Sequence, residues 1–389
     1  MDSLDFKLYE VNGILHRKLE ANPKIFETAV RDFCDGVVKM NGNDDQLAAA
    51  LSGFGMDQKD SAKDDKEEKE KAKQAVPTWQ QSLKIGKRSE DDDFHSVTGI
   101  AVHPSGDIAL IDKNDNMDAD WNRGSPRVYV FNPDGTQKFV LNSTDSKESP
   151  VGKLVNGQGI AVTNDGKYLV ADGTTDVKVF DAAGTYLESF STLSEDVHKG
   201  IKKSSRCVTV NRNSGEVLVG DFHRELVTVH NGDDFKLVKE IHVGLQPVHV
   251  AVNKKNQVAV CMMMHEPAEV VAVNFFYRVL SHKRAGGKVV AFDYSGDELF
   301  TIVPIMGDEL AKPYGVVYDS DCGLYVAVTK FDISSRLAKP NTGHIHYYNS
   351  SGEFVKCVAK GLYWPLGMGI GKDLLAVADK QSARVFKPE

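Results

Sequence analysis

A fourteen-residue pattern recurs along this chain, and recurrence of that kind leaves few folds open. Gly99 to Asp112 reads GIAVHPSGDIALID: an apolar strand, a tight turn on Pro104-Ser105-Gly106-Asp107, then a second strand ending in an acid. Gly159-Ile160-Ala161-Val162, the turn Asn164-Asp165-Gly166 and Tyr168 to Asp172 repeat it. Self-similar units at this period stack and bury their faces on one another, because no single unit can cover its own apolar side.

Anchors at Gly99, Gly159, Cys207, His249, Gly315 and Gly367 open the strands GIAV, GIAV, CVTV, HVAV, GVVY and GMGI. Successive anchors stand 60, 48, 42, 66 and 52 residues apart. A second strand follows each (DIALID, KYLVAD, EVLVGD, QVAVCM, GLYVAV, DLLAVAD), then a third (RVYVF, VKVFD, LVTVH, KVVAF, HIHYY, ARVF). Five units add a fourth strand, and the last stops short at Glu389. Four strands in each of six units predict a mainly β fold, a six-bladed β-propeller over 77–389. Residues 79–85 (WQQSLKI) are placed to supply the missing strand of the last blade, which would leave no open sheet edge.

The front of the chain has a different pattern. Residues 1–56 are expected to be a small α-helical segment. Leu8, Val11, Ile14, Leu15 and Leu19 form one stripe, and Ile25, Phe26, Ala29, Val30, Phe33 and Val37 another behind an Asn22-Pro23 start; Asp44 to Leu51 adds a short third piece. Such a segment would serve as an oligomerisation stub, with a homodimer through these helices as the corresponding partner expectation. Residues 57–76 carry a mixed charge run and read as a solvated linker.

No apolar run approaches the roughly 18 residues of a membrane span, and the acidic Met1-Asp2-Ser3-Leu4-Asp5 start lacks a secretion signal's apolar core. The five cysteines, Cys34, Cys207, Cys261, Cys322 and Cys357, are scattered and form no Cys-x-x-Cys. That pattern argues against a disulfide framework or zinc finger and suits a reducing, cytoplasmic setting.

The units resemble NHL repeats. Thr98 to Ile108 (TGIAVHPSGDI) matches an NHL opening, and Gln158-Gly159-Ile160-Ala161-Val162 with Leu169-Val170-Ala171-Asp172 is another. The resemblance covers 78–389 and is closest to the propeller of tripartite-motif (TRIM-NHL) proteins. The family's strand-end acid stands here as Asp112, Asp172, Asp221 and Asp379, with Met262 and Val328 in its place in units 4 and 5. The resemblance implies a structural role for these acids, tying strand ends by hydrogen bonds. It also implies a relative of ubiquitin ligases, although no Cys/His constellation for a RING or B-box is present; residues 1–53 would then correspond to a remnant of the family's coiled coil.

Strand direction places the link into the first strand and the second-to-third link on one rim. The long insertions 113–126, 263–287 and 330–342 all fall there, and insertions gathered on one face mark a binding face. The expected partner-binding rim comprises Arg206, His223, Arg224, Phe276, Arg278, Lys283, Arg284, Tyr314, Lys330, Phe331, Arg336, Tyr363, Trp364 and Lys380, residue types common in interface hot spots. A protein partner is the leading expectation, with a non-enzymatic scaffold tied to ubiquitin-ligase pathways as the function. Single-stranded RNA is the alternative, since aromatics beside cations also suit bases and phosphates. Residues 101–389 carry a formal charge of −3, without the positive excess of a nucleic-acid domain.

No catalytic residue, cofactor or metal is assigned. Asp112, Asn114, Asp115, Asn116, Asp118 and Asp120 cluster, but Met117 and Arg123 break the EF-hand pattern, so a solvated loop is the simpler reading. His242, His249 and His265 are candidates to face the central channel, where a metal-dependent lactonase or lyase would need several converging donors. His344 and His346 alternate on one strand face.

Overall fold

The computed structural model describes residues 7–11, 14–18, 77–89, 92–113, 126–141, 152–193, 205–263, 287–307, 309–332, 337–338 and 342–389. Two compact units divide the chain, 1–70 and 71–389. No helix occurs among the described residues.

In the first unit the helical expectation is corrected for the described part. Lys7–Val11 and Ile14–Lys18 are antiparallel strands, with Tyr9 opposite His16 and Val11 opposite Ile14. A short apolar run fits either period. Here Tyr9, Val11 and Ile14 are strand formers, and Asn12-Gly13 between them is the dipeptide most favoured in two-residue hairpins. The Asn22-Pro23 start, the stripe from Ile25 to Val37, the piece from Asp44 to Leu51 and the 57–76 run lie outside the described residues.

The second unit is a six-bladed β-propeller of antiparallel sheets. Blade 1 is Val97–Val102, Ile108–Asp112, Arg127–Phe131 and Gln137–Val140; blade 2 is Gly159–Val162, Tyr168–Ala171, Asp176–Phe180 and Tyr186–Ser191. Blade 3 is Ser205–Val210, Val217–Asp221, Leu226–His230 and Leu237–His242; blade 4 is Gln246–Val252, Val258–Met263, Gly287–Phe292 and Glu298–Ile302. Blade 5 is Glu309–Tyr318, Leu324–Asp332, Gly343–Tyr348 and Phe354–Leu362, with the short strands Ile305–Met306 and Leu337–Ala338 added. Blade 6 is Pro365–Ile370, Leu375–Asp379 and Ala383–Pro388, and its fourth strand is Trp79–Ile85. That strand pairs antiparallel with Ala383–Pro388, and the Trp79 Nε1 donates to the Tyr325 hydroxyl of blade 5 at 3.0 Å.

Each first strand lies beside the first strands of both neighbouring blades, closing a ring of six around an axial channel. The core is six apolar wedges, one between each pair of adjacent blades. Ile100 and Leu110 meet Val385 between blades 1 and 6, for example, and Leu218 and Val227 meet Val260 between blades 3 and 4. Second strands are therefore covered on both faces: IALID, VLVGD and LAVAD are buried at every position. That is why they read as continuous apolar runs rather than alternating ones. Fourth strands are the wettest, as in YLESFS, where Leu187, Glu188 and Ser189 are all exposed.

Candidate ligand site at the mouth of the axial channel

The anchors are the points of closest approach at the axis. A Cβ on Gly99 would lie 3.2 Å from the Gly159 Cα, and one on Gly159 would lie 2.8 Å from the Cys207 Cα. A Cβ on Gly315 would run into the Leu366 carbonyl. Glycine at these positions lets neighbouring blades touch backbone to backbone. A register shift recurs just before the anchor, between Val97 and Gly99, Ser205 and Cys207, Pro247 and His249, and Pro313 and Gly315. Such bulges bend the strand and re-aim the side chain beside them.

The re-aimed side chains build a mouth. Thr98, Gln158, Arg206, Val248, Tyr314 and Leu366, each directly before an anchor, line a cavity of about 290 Å³. Ser96, Lys113, Met263, Trp364 and Lys380 complete its upper wall. A second cavity of about 210 Å³ continues the channel toward the opposite rim, and His249 borders both. His249 is the one anchor whose side chain is large enough to reach across. Its Nδ1 lies 3.4 Å from the Val316 N and its Nε2 lies 3.4 Å from the Met368 N. Burial lowers the His249 pKa to about 4. The imidazole is therefore neutral at physiological pH and forms the floor of the mouth.

The mouth is cationic. Arg206 presents its guanidinium over the Phe222 ring, 4.7 Å from the centroid, and no carboxylate pairs with it among the described residues. Desolvation lowers its pKa, the direction expected of a charge held out of water without a counter-charge. Lys380 lies 5.1 Å from the Trp364 ring centroid. Its backbone is left-handed (φ 54°), and its carbonyl accepts the Val97 N–H, which ties this turn to the first strand of blade 1. Two polar atoms in the same wall, Thr98 Oγ1 and Trp364 Nε1, are buried without a hydrogen-bond partner. The Trp364 indole lies near enough to the Tyr314 hydroxyl to oppose the rise that burial gives its pKa, without forming a full hydrogen bond. Neither Asp nor Glu is among the described residues lining either cavity.

Strand-end acids hold the mouth in shape from behind. Asp112 accepts from the Ser96 N at 2.8 Å, Asp172 from the Val155 and Asn156 N at 2.8 and 3.0 Å, and Asp379 from the Trp364 N at 2.7 Å. Each ties the end of the second strand to the link entering the first. Asp221 instead caps its own turn through the N–H groups of His223 and Arg224. Buried carboxylates need such partners. Asp172 also meets Lys178 at 3.1 Å and Asp379 meets Arg384 at 2.8 Å. In blades 4 and 5, Met262 and Val328 occupy the place fully buried, opposite Pro247 and Pro313.

Of the rim residues singled out in the sequence, Arg206, Tyr314, Trp364 and Lys380 converge on the mouth. Arg224 is engaged elsewhere, with Asp221 at 2.6 Å, Glu240 at 2.5 Å and the Thr192 carbonyl. Lys330 pairs with Glu309 at 3.2 Å, and His223 and Tyr363 are exposed. Phe276, Arg278, Lys283, Arg284 and Arg336, the Phe331 side chain, His265 and the loop from Asn114 to Asp120 lie outside the described residues. His242 ends an outer strand and is exposed, so the channel-facing expectation for it is corrected: fourth strands lie farthest from the axis. Thr98, Gln158, Val248 and Leu366 were missed, although their position directly before each anchor was a usable signal.

No family model matches the chain, and no curated protein matches it. Among solved structures, a gluconolactonase from Xanthomonas campestris is similar at 12% identity and TM-score 0.51, covering 76% of this chain and 87% of that one. A hydrazine synthase from Kuenenia stuttgartiensis is similar at 13% identity and TM-score 0.47, with 76% of each chain covered. Likeness at these identities shows the propeller fold alone.

Proposed function

We propose that the propeller is a non-enzymatic binding module that seats an acidic group of a protein partner in the mouth of its channel. The observation that carries this reading is Arg206. Its guanidinium has no counter-charge among the described residues and lines the same cavity as two unsatisfied polar atoms, Thr98 Oγ1 and Trp364 Nε1. A buried donor left unpaired costs about 1–3 kcal/mol, which a ligand with acceptor oxygens recovers on binding. A carboxylate suits a guanidinium best because it accepts two parallel N–H bonds.

The mouth is a cavity of about 290 Å³, a size that suits one or two side chains. Trp364 is covered by Lys380 instead of lying open for base stacking. The resemblance to tripartite-motif propellers supports a scaffold role alongside ubiquitin-ligase pathways in a reducing compartment. Among the described residues no helix is long and apolar enough to cross a membrane. A gluconolactonase-like channel enzyme is supported by fold likeness alone. A hard divalent cation takes oxygen ligands, mainly carboxylates, and the described channel lining contributes one imidazole and no carboxylate, so such an ion does not fit there.

The test is selection of random displayed peptides on the full chain. An acidic consensus whose binding is lost in Arg206→Ala supports the reading. A consensus without acids, or one indifferent to Arg206, overturns it.

A further inference from the structure

Blade 5 carries a second group of chemistry-bearing side chains, well outside the channel. His344 and His346 lie two apart on the strand Gly343–Tyr348 and so share a face. On the next strand, Phe354–Leu362, the register slips by one residue: Ile345 faces Ala359 but His346 faces Cys357. Val358 is the extra residue. Without that bulge the thiol would not stand opposite His346 on this face. As a result, one ligand atom from each of His344, His346 and Cys357 lies within 4.8 Å of the other two.

We propose that His344, His346 and Cys357 form a binding site for a divalent cation of the zinc class. Two imidazoles and a thiolate are borderline-to-soft donors that select such ions over calcium or magnesium. Zinc accepts three protein ligands with water in the fourth position. His346 is 4% exposed, whereas His344 and Cys357 are half-buried, so the ion enters from the solvent side. Behind the site, the His346 Nδ1 lies 3.4 Å from the Tyr348 hydroxyl, and Phe354 packs edge-on at 5.2 Å. These contacts orient the ring, as outer contacts do for metal-bound histidines.

Burial lowers the pKa of both imidazoles, keeping them neutral as a ligand must be, and raises that of the Cys357 thiol. Lys330 and Lys360 disfavour the imidazolium at His344, and Lys360 also eases ionisation of the thiol. The Cys357 thiol donates to the Ala359 carbonyl at 3.3 Å. On binding, the S–H bond breaks, a metal–sulfur bond forms and the proton leaves to solvent. No oxidant or reductant is involved.

The experiment uses the full chain, stripped with chelator, with Co²⁺ and Zn²⁺ as probes. One equivalent of Co²⁺ is expected to produce a thiolate-to-cobalt charge-transfer band, bleached by Zn²⁺ and absent in Cys357→Ser. His344→Ala, at a half-buried position, is expected to weaken Zn²⁺ binding by roughly tenfold or more while leaving the thermal melt of the metal-free chain unchanged. Arg206→Ala is expected to leave it unchanged. No band in the wild type, a band that survives in Cys357→Ser, or equal binding of Ca²⁺ would each overturn the proposal.

Discussion

The imidazole of His249, on the first strand of blade 4, accepts from the backbone N–H of Met368 in blade 6, with Nε2 and N 3.4 Å apart. The same ring meets the Val316 N–H of blade 5 through Nδ1. One side chain therefore bridges three blades at the axis. The neutral ring carries one proton and so accepts from only one of these two N–H groups; a second ring proton would face the other donor and remove that acceptor as well.

Stability is expected to fall as the medium is acidified. Burial lowers the pKa of His249, and likewise of His230 and His346, to about 4. In the unfolded chain these groups titrate near 6.5, so between about 6.5 and 4 the unfolded state binds more protons. Stability is fully present above 6.5 and drains away toward 4. For the fully buried His230 the loss is on the order of 3 kcal/mol. Urea midpoints between pH 7.5 and 4.5 measure this, and a flat profile would contradict it.

Asp379→Asn is expected to destabilise by about 3–5 kcal/mol, since it strips the charge partner from the half-buried Arg384 and weakens the tie to the Trp364 N–H. Denaturant unfolding reads the loss directly. A change under about 1 kcal/mol would mean that the strand-end tie carries little weight.

Gly315→Ala places a methyl group into the Leu366 carbonyl of the adjacent blade. A loss of at least about 1–3 kcal/mol is expected, because backbone cannot swing aside as a side chain can. Gly244→Ala is the contrast: no atom lies within 4 Å of its added Cβ, but its φ of 70° confines the penalty to backbone strain. Thermal melts of the two variants separate crowding from strain, and equal losses would contradict the crowding account.

Trp79–Ile85 covers the outer edge of Ala383–Pro388. A chain beginning at residue 87 is expected to unfold less cooperatively and to associate with rising concentration, because an uncovered strand edge pairs with other chains. A chain beginning at 77 is the control. Sedimentation of the two, with both remaining monomeric and equally stable, would count against the closure.

The blades were legible because their inner strands are covered on both sides and therefore spell out GIAV, CVTV or LAVAD as unbroken apolar runs. Four of the six anchors, Gly99, Gly159, Gly315 and Gly367, were legible because a Cβ there would crowd the neighbouring blade. The hairpin of residues 7–18 was misread as helix, since five-residue strands flanking Asn12-Gly13 satisfy helical spacing by coincidence. Arg206, Tyr314, Trp364 and Lys380 could be picked by residue type and rim, but the aim of Arg206 and Tyr314 depends on the register shift beside their anchors, which only pairing reveals. The same holds for Cys357: nothing in FVKCVAKGL announces that Val358 is the extra residue.

The most direct measurement of the central claim is the affinity of the full chain for an acidic peptide selected on it, compared with Arg206→Ala and with a poly(U) RNA. The expected result is peptide binding reduced tenfold or more in the variant, with stability unchanged and RNA bound weakly or not at all. Undiminished peptide binding in Arg206→Ala, or RNA binding that is stronger than peptide binding and lost in the same variant, would contradict the assignment of the mouth to an acidic protein partner.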